Sequence, residues 1–167
     1  MRARFEFAQP ERVSVGTIGP VGQRAFFLQA RQGAELLTLK LEKQQVAALS
    51  QRLGELLQRL PRAGELPADA AGTLEAFGEA DFVVGALALA YDARDDRIVV
   101  LAEELVGEDE EGAEARLALT REQAGALAIE GVRLVEAGRP PCPLCGFPLD
   151  PRGHACPRTN GHRPPLT

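Results

Sequence analysis

The sequence predicts an α+β fold: two strand-strand-strand-helix units with antiparallel strands, then a short C-terminal tail that resembles a zinc-ribbon knuckle. Three observations predict it. Segments with the apolar patterns of β-strands come in two groups, and each group precedes a segment with apolar residues at helical spacing. The two groups are similar in sequence, which indicates an internal duplication. Every cysteine and histidine of the chain lies between positions 142 and 162.

The first unit spans about residues 1–60. It contains four segments in which apolar and polar residues alternate or apolar residues are consecutive. These segments are separated at Pro10, at Gly19 to Gly22 and at Gln32-Gly33. These strands are predicted at residues 4–8, 12–19, 24–31 and 35–41. A helix from Glu42 to about Leu60 follows and ends before Pro61. Its apolar stripe consists of Val46, Leu49, Leu53, Leu56, Leu57 and Leu60.

Residues 61–73, which contain several Gly and Pro residues, predict a linker to a second unit at about 74–138. Strands are predicted at 80–91, 97–105 and 115–119, and a helix from Thr120 to about Ala137. Thr120 and Gln123 have the spacing of a capping box, and Gly138 is placed to end the helix.

The similarity between the units is clearest at the helix starts. Residues 39–49 align with residues 117–127, which places Gln45 and Gln123 at equivalent positions. Shorter alignments set 15–18 on 84–87 and 24–28 on 97–101. We therefore expect the two units to pack about a pseudo-twofold axis. A pocket between them would be lined by Phe26, Phe27 and Phe82, unless these rings pack in the core.

The C-terminal tail, residues 139–163, has the composition of a metal site, and residues 164–167 are expected to be a disordered end. Its candidate ligands are Cys142, Cys145, His154, Cys156 and His162. Thiolates and imidazoles are preferred zinc ligands, and a Cys-x-x-Cys pair holds one side of a tetrahedral ion. The three cysteines need one histidine as fourth ligand; His154 is preferred and His162 is the alternative. Prolines exclude the helix of a redox motif, and four protein ligands make the zinc structural.

Charge divides the chain into an acidic body and a basic tail. The net charge is −5. Residues 139–163 hold four arginines against Asp150, a net +3, so the remainder carries −8. Phosphates would repel such a body, whereas the tail suits nucleic acid or an acidic protein surface. The arginines concerned are Arg139, Arg152, Arg158 and Arg163. Without an apolar run of ~20 residues or a signal peptide, and with thiols grouped as metal ligands, the protein is expected in the cytoplasm, without a membrane partner.

Several stretches resemble one known family. They are Pro-Glu-Arg-Val-x-Val-Gly-Thr-Ile-Gly at 10–19, Leu-Glu-Lys-Gln-Gln-Val at 41–46, Gly-Arg-Pro-Pro-Cys-Pro-Leu-Cys at 138–145 and Pro-Leu-Asp-Pro-x-Gly-His-x-Cys at 148–156. The chain resembles, over its whole length, the domain-of-unknown-function family 3090, a largely actinobacterial family of uncharacterised proteins. The resemblance implies no activity and no catalytic residue. It implies that the His-x-Cys pair is the steadier part of the tail, which favours His154 as ligand.

The sequence is most consistent with a non-catalytic, zinc-binding interaction module. It contains neither a Gly-x-Ser-x-Gly elbow nor a phosphate-binding glycine loop, and no glutamate lies beside a histidine ligand to carry protons. Two alternatives stay open. One is a metal-dependent or hydrolase-like enzyme that uses the histidine not bound to zinc, near Asp150. The other is a small-molecule binder with a pocket between the two units.

Overall fold

Seven strands and two helices form in the order that the apolar patterns predict. The computed structural model describes residues 3–20, 22–60 and 73–137. The elements are β1 Arg4–Phe7, β2 Arg12–Ile18, β3 Ala25–Gln32, β4 Glu35–Leu41, α1 Lys43–Arg59, β5 Phe82–Asp92, β6 Arg97–Glu104, β7 Glu114–Leu119 and α2 Arg121–Ala137. The predicted α+β class and all the predicted elements are confirmed, with small differences at their boundaries.

The strands form a mixed sheet in the order β1-β7-β6-β5-β4-β3-β2. Within the first meander (β2, β3 and β4) and the second meander (β5, β6 and β7), neighbouring strands are antiparallel, as predicted. The sheet as a whole is mixed, because the two units join through parallel pairs that were not predicted: β1 pairs with β7, and β4 pairs with the start of β5. Apolar periodicity reports which face a residue occupies, but not which strand lies beside it.

The sheet curls until its two edges approach each other. β1 and β2 lie at opposite edges, yet Phe7 and Arg12 are separated by only four residues. An extended chain covers at most about 18 Å between these two residues. A flat sheet of this size would be about 29 Å wide, from inter-strand spacings of ~4.8 Å. The connection is held along β3, where the Glu11 amide donates to the Arg31 carbonyl at 2.8 Å.

The helices pack on each other and on the inner face of the sheet. Four residues of the predicted stripe on α1 are buried, namely Val46, Leu49, Leu53 and Leu57, while Leu56 and Leu60 are partly buried against the core. α2 contributes Ala124, Leu127 and Ala128 to the same core. α2 contacts β2 of the first meander, and α1 contacts β5 of the second. Each helix therefore covers a strand of the other half of the chain.

Two glutamines at the helix starts form hydrogen bonds between the two halves of the chain. Gln45 accepts a hydrogen bond from the Glu42 amide at 2.8 Å and donates to the Val84 carbonyl at 3.0 Å. Gln123 accepts from the Thr120 amide at 3.0 Å and donates to the Pro10 carbonyl at 2.8 Å. The Thr120 hydroxyl accepts from the Gln123 amide at 3.0 Å, so the predicted capping box is confirmed.

Residues 73–81, here called the strap, cross the outer face of the first meander. Leu74 packs on Gly16, where a Cβ atom would lie 2.5 Å from the leucine Cγ. Phe77 packs on Phe27 with ring centroids 4.8 Å apart. The buried Gln29 side chain donates to the Glu75 carbonyl at 3.0 Å and accepts from the Glu75 amide at 2.7 Å. These residues open the predicted second unit, but they lie on the sheet of the first.

Candidate functional site

The predicted zinc ligands and the tail arginines lie outside the residues that the structure describes. These are Cys142, Cys145, His154, Cys156, His162, Arg139, Arg152, Arg158 and Arg163. Within residues 3–20, 22–60 and 73–137, no three His, Cys, Asp or Glu side chains are grouped so that they would hold a metal ion. The zinc site and the choice between His154 and His162 therefore stay predictions.

A groove lies between α1 and β5, where the two halves of the chain meet. Its volume is about 200 Å³. It is lined by Gln45, Ala48, Leu49, Arg52, Gly85, Leu87, Ala88 and Leu89. The groove exists because α1 covers β5 less closely than α2 covers β2. Leu87 and Leu89 stay half-buried, whereas Val13 and Val15 on β2 are buried.

The groove combines apolar walls with one cationic group at its rim. The Gln45 amide is committed to Glu42 and Val84. Arg52 is exposed and forms no ion pair with any described residue. A ligand that fits this arrangement has an apolar body and a carboxylate or another anionic group. Periodicity alone did not indicate the groove, because Leu87 and Leu89 have the pattern of a fully buried strand.

The three phenylalanines that were expected to line a pocket lie elsewhere. Phe26 and Phe82 are buried in the core, which is the alternative role that the sequence left open. Phe27 lies on the outer face under the strap. None of these rings lines the groove between α1 and β5.

A polar cluster joins the β5–β6 turn to the start of α2. The Tyr91 hydroxyl donates to Asp96 Oδ1 at 2.7 Å, and Arg121 Nε donates to the same oxygen at 2.9 Å. Asp96 has a left-handed backbone with φ 51°. The hydrogen bond from Tyr91, followed by that from Arg121, holds the pKa of Asp96 below its usual value. The carboxylate therefore stays ionised and accepts hydrogen bonds, which fits a structural cross-link.

The strap carries a second ion pair. Arg31 Nε donates to both carboxylate oxygens of Glu75 at 2.8 Å. This side-chain hydrogen bond is the main reason why the pKa of Glu75 is lowered. Together with the Gln29 amide, it fixes Glu75 to β3. The pair thus holds the strap in register on the first meander.

Comparison with known proteins finds one family, whose match covers the body and most of the tail. The model of the family described as "Protein of unknown function (DUF3090)" matches residues 5–156. The chain belongs to this family. The match includes Cys142, Cys145, His154 and Cys156 and ends before His162. No curated protein and no solved structure matches the chain. Neither of the helices described in this member of the family is long and apolar enough to cross a membrane.

Proposed function

We propose that this DUF3090 protein is a zinc-binding interaction module in which the α+β body supports a tail that binds a partner. The observation that carries the proposal is the grouping of every cysteine and histidine of the chain within positions 142–162. Three thiols and an imidazole form a donor set that zinc prefers, and a short proline-rich segment with few apolar residues needs such a staple to hold one shape. Zinc here shapes a surface and does not run a reaction.

The proposed ligands are Cys142, Cys145, His154 and Cys156, with His162 as the alternative to His154. The extent of the family match supports this choice. It reaches Cys156 and so includes His154, whereas His162 lies beyond it. The remaining histidine is then free to contact a partner.

The partner is proposed to be an acidic protein surface or a nucleic acid. The tail carries four arginines against one aspartate, and the rest of the chain carries a net −8. Long-range attraction of a negatively charged partner is therefore directed to the tail and away from the body.

We also propose that the two halves of the body arose by internal duplication. Three features support this. Each half contains a three-stranded meander followed by a helix. Gln45 and Gln123 make corresponding hydrogen bonds, each to the backbone of the other half. The parallel pairs also correspond, because Phe7 lies beside Leu117 and Phe82 lies beside Leu39.

Capture of partners from a native lysate tests the proposed function. The full chain should retain a partner that a chain ending at Ala137 loses. Arg152→Glu combined with Arg158→Glu should reduce retention roughly tenfold, since reversing charges removes the electrostatic attraction. The matched control is Arg59→Glu combined with Arg133→Glu, which reverses two exposed arginines of the body. Nuclease treatment separates the nucleic-acid arm from the protein arm, and equal retention by the truncated chain would place binding on the body.

The groove between α1 and β5 favours a second candidate function, the binding of a small amphipathic carboxylate. Octanoate is a suitable probe, because its chain suits the apolar walls and its carboxylate suits Arg52. Arg52→Glu should raise the dissociation constant measured by calorimetry about fivefold, which corresponds to the ~1 kcal/mol of an exposed ion pair. Arg59→Glu, on the same helix but outside the groove, should leave it unchanged. Equal effects of the two variants would show only a general charge effect.

A further inference from the structure

The outer face of the second meander (here the second outer face, centred on Ala88, Ala90 and Leu101) is an exposed apolar sheet surface. Leu101 is 37% exposed, and the two alanines beside it on β5 are exposed as well. Exposure varies across this face, because Val99, next to Leu101 on the same side of β6, is buried. On the first meander the corresponding face is covered by the strap.

Strand pairing gives the corresponding residues of the two faces once residues 39–49 are set on residues 117–127, as in the proposed duplication. On the first meander Gln29 lies beside Thr38 on β4 and beside Ser14 on β2. On the second meander the residue that corresponds to Gln29 is Leu101, which lies between Arg116 on β7 and Ala88 on β5. The same registers make Ala90 the counterpart of Gly16, and Glu103 the counterpart of Arg31.

Each of these counterparts has a partner in the strap on the first meander. Gly16 receives Leu74, Gln29 binds the backbone of Glu75, and Arg31 binds the Glu75 carboxylate. The strap follows α1 after the twelve residues 61–72. The chain that follows α2, residues 138–167, is longer than this connection and strap together. It is therefore long enough to reach the corresponding face of its own meander.

The second outer face has mixed charges, with Arg116 beside Leu101, but at one position its charge is opposite to that of the first face. Where the first meander has Arg31, the second has Glu103, which lies directly beside Glu114 on β7. Two like charges at directly paired positions are destabilising unless cations lie near them. Arg4 Nε lies 3.6 Å from the Glu114 carboxylate, and an arginine of the tail would stabilise Glu103 in the same way.

The composition of the tail complements an apolar face that carries two paired glutamates, Glu103 and Glu114, at one end. The tail carries a net +3 and also contains the apolar residues Leu144, Phe147 and Leu149. On the first meander the strap has the matching combination, because Leu74 supplies an apolar contact and Glu75 supplies a charge opposite to that of Arg31.

We infer that residues 139–163 dock on the second outer face as an intrachain counterpart of the strap, with apolar residues on Leu101 and an arginine on Glu103. This inference does not rest on zinc binding or on a partner. Its consequence is that the tail has a fixed position on the body, so that it and the second meander form one continuous surface.

Limited trypsin cleavage of the full chain at Arg152 and Arg158 tests the docking. Leu101→Glu should accelerate cleavage at both sites about tenfold, because cleavage of a docked segment follows the population of its open state. Glu103→Arg, a charge reversal at an exposed position, should accelerate it severalfold. The matched control is Ile18→Glu, since Ile18 is an exposed residue at the end of β2 with 51% exposure. Zinc content is measured on the same samples, so that loss of the metal is distinguished from loss of docking.

The outcomes separate the possible occupants of the face. Faster cleavage in both variants, with unchanged zinc content and a silent control, supports the intrachain strap. Cleavage at the wild-type rate in Leu101→Glu and Glu103→Arg overturns it, whether or not zinc is bound. Protection that disappears on dilution also overturns it, because a second copy of the chain would then cover the face.

Discussion

Replacing Cys145 by serine is expected to abolish zinc binding and to leave the body folded. A serine hydroxyl is not ionised near neutral pH and does not replace a thiolate ligand. Elemental analysis should find about one zinc per wild-type chain and almost none in the variant, because a structural site needs all four ligands. The body should keep its thermal transition within a few degrees, since its core is built from residues of the sheet and helices.

Two histidine variants identify the fourth ligand. His154→Ala should release zinc, whereas His162→Ala should retain it. Release by the second variant alone would make His162 the ligand, and a zinc-free wild-type protein with a complete, folded tail would contradict the metal site altogether. Circular dichroism of each variant shows whether the body is intact.

Gly131→Val is expected to destabilise the body by about 2–3 kcal/mol, because it overpacks the contact between the helices. A Cβ atom at Gly131 would lie 1.9 Å from Ser50 Oγ and 3.5 Å from Val46 Cγ1. Ser50 is buried, and its hydroxyl donates to the Val46 carbonyl at 2.8 Å. The hydroxyl must therefore leave its hydrogen bond, or the helices must separate. Urea denaturation followed by circular dichroism measures the loss.

The matched control lies on α1 itself. A Cβ atom at Gly54 would meet no described atom within 4 Å apart from the backbone of its own helix, so Gly54→Val should change stability by less than about 0.5 kcal/mol. Adding Ser50→Ala to Gly131→Val should recover part of the loss, because it removes the nearest atom, and the double-mutant cycle measures this coupling. Equal costs at Gly131 and Gly54 would mean that close packing of α1 on α2 does not limit stability.

The elements of the fold could be predicted because each has a local cause. The α1 stripe has helical spacing, and the Thr120–Gln123 capping box fixes the start of α2. The arrangement of the strands has no local cause. The parallel pair of Leu39 and Phe82 joins residues whose own patterns say nothing about each other.

With residues 39–49 set on residues 117–127, the strand pairings differ from the sequence alignment in the other strands. The pairings make Val100 the counterpart of Leu28, whereas the sequence alignment set Leu28 on Leu101. They also make Leu89, and not Val84, the counterpart of Val15. A slip by one residue moves a side chain to the opposite face of a sheet. Matching dipeptides such as Val-Gly therefore gave a different alignment of the strands, because the equivalence of two strand residues depends on their face and register.

The candidate sites divide in the same way. The zinc ligands are a prediction from residue types and spacing, which the sequence carries in full. The groove depends on how far α1 stands from β5, and the close contact of Gly131 with Ser50 depends on where two helices cross. Both are properties of tertiary packing, and the sequence pattern of β5 or of residues 124–131 in α2 does not predict them.

The position of β1 sets an order for folding during synthesis. Residues 4–7 leave the ribosome before the other described strands, but their only strand partner in the described sheet is β7, more than a hundred residues later. The first meander and α1 have local partners and are able to form while the second half is still being made, at about 5–20 residues per second. β1 is therefore made before the other described strands and yet gains its neighbour in the sheet last.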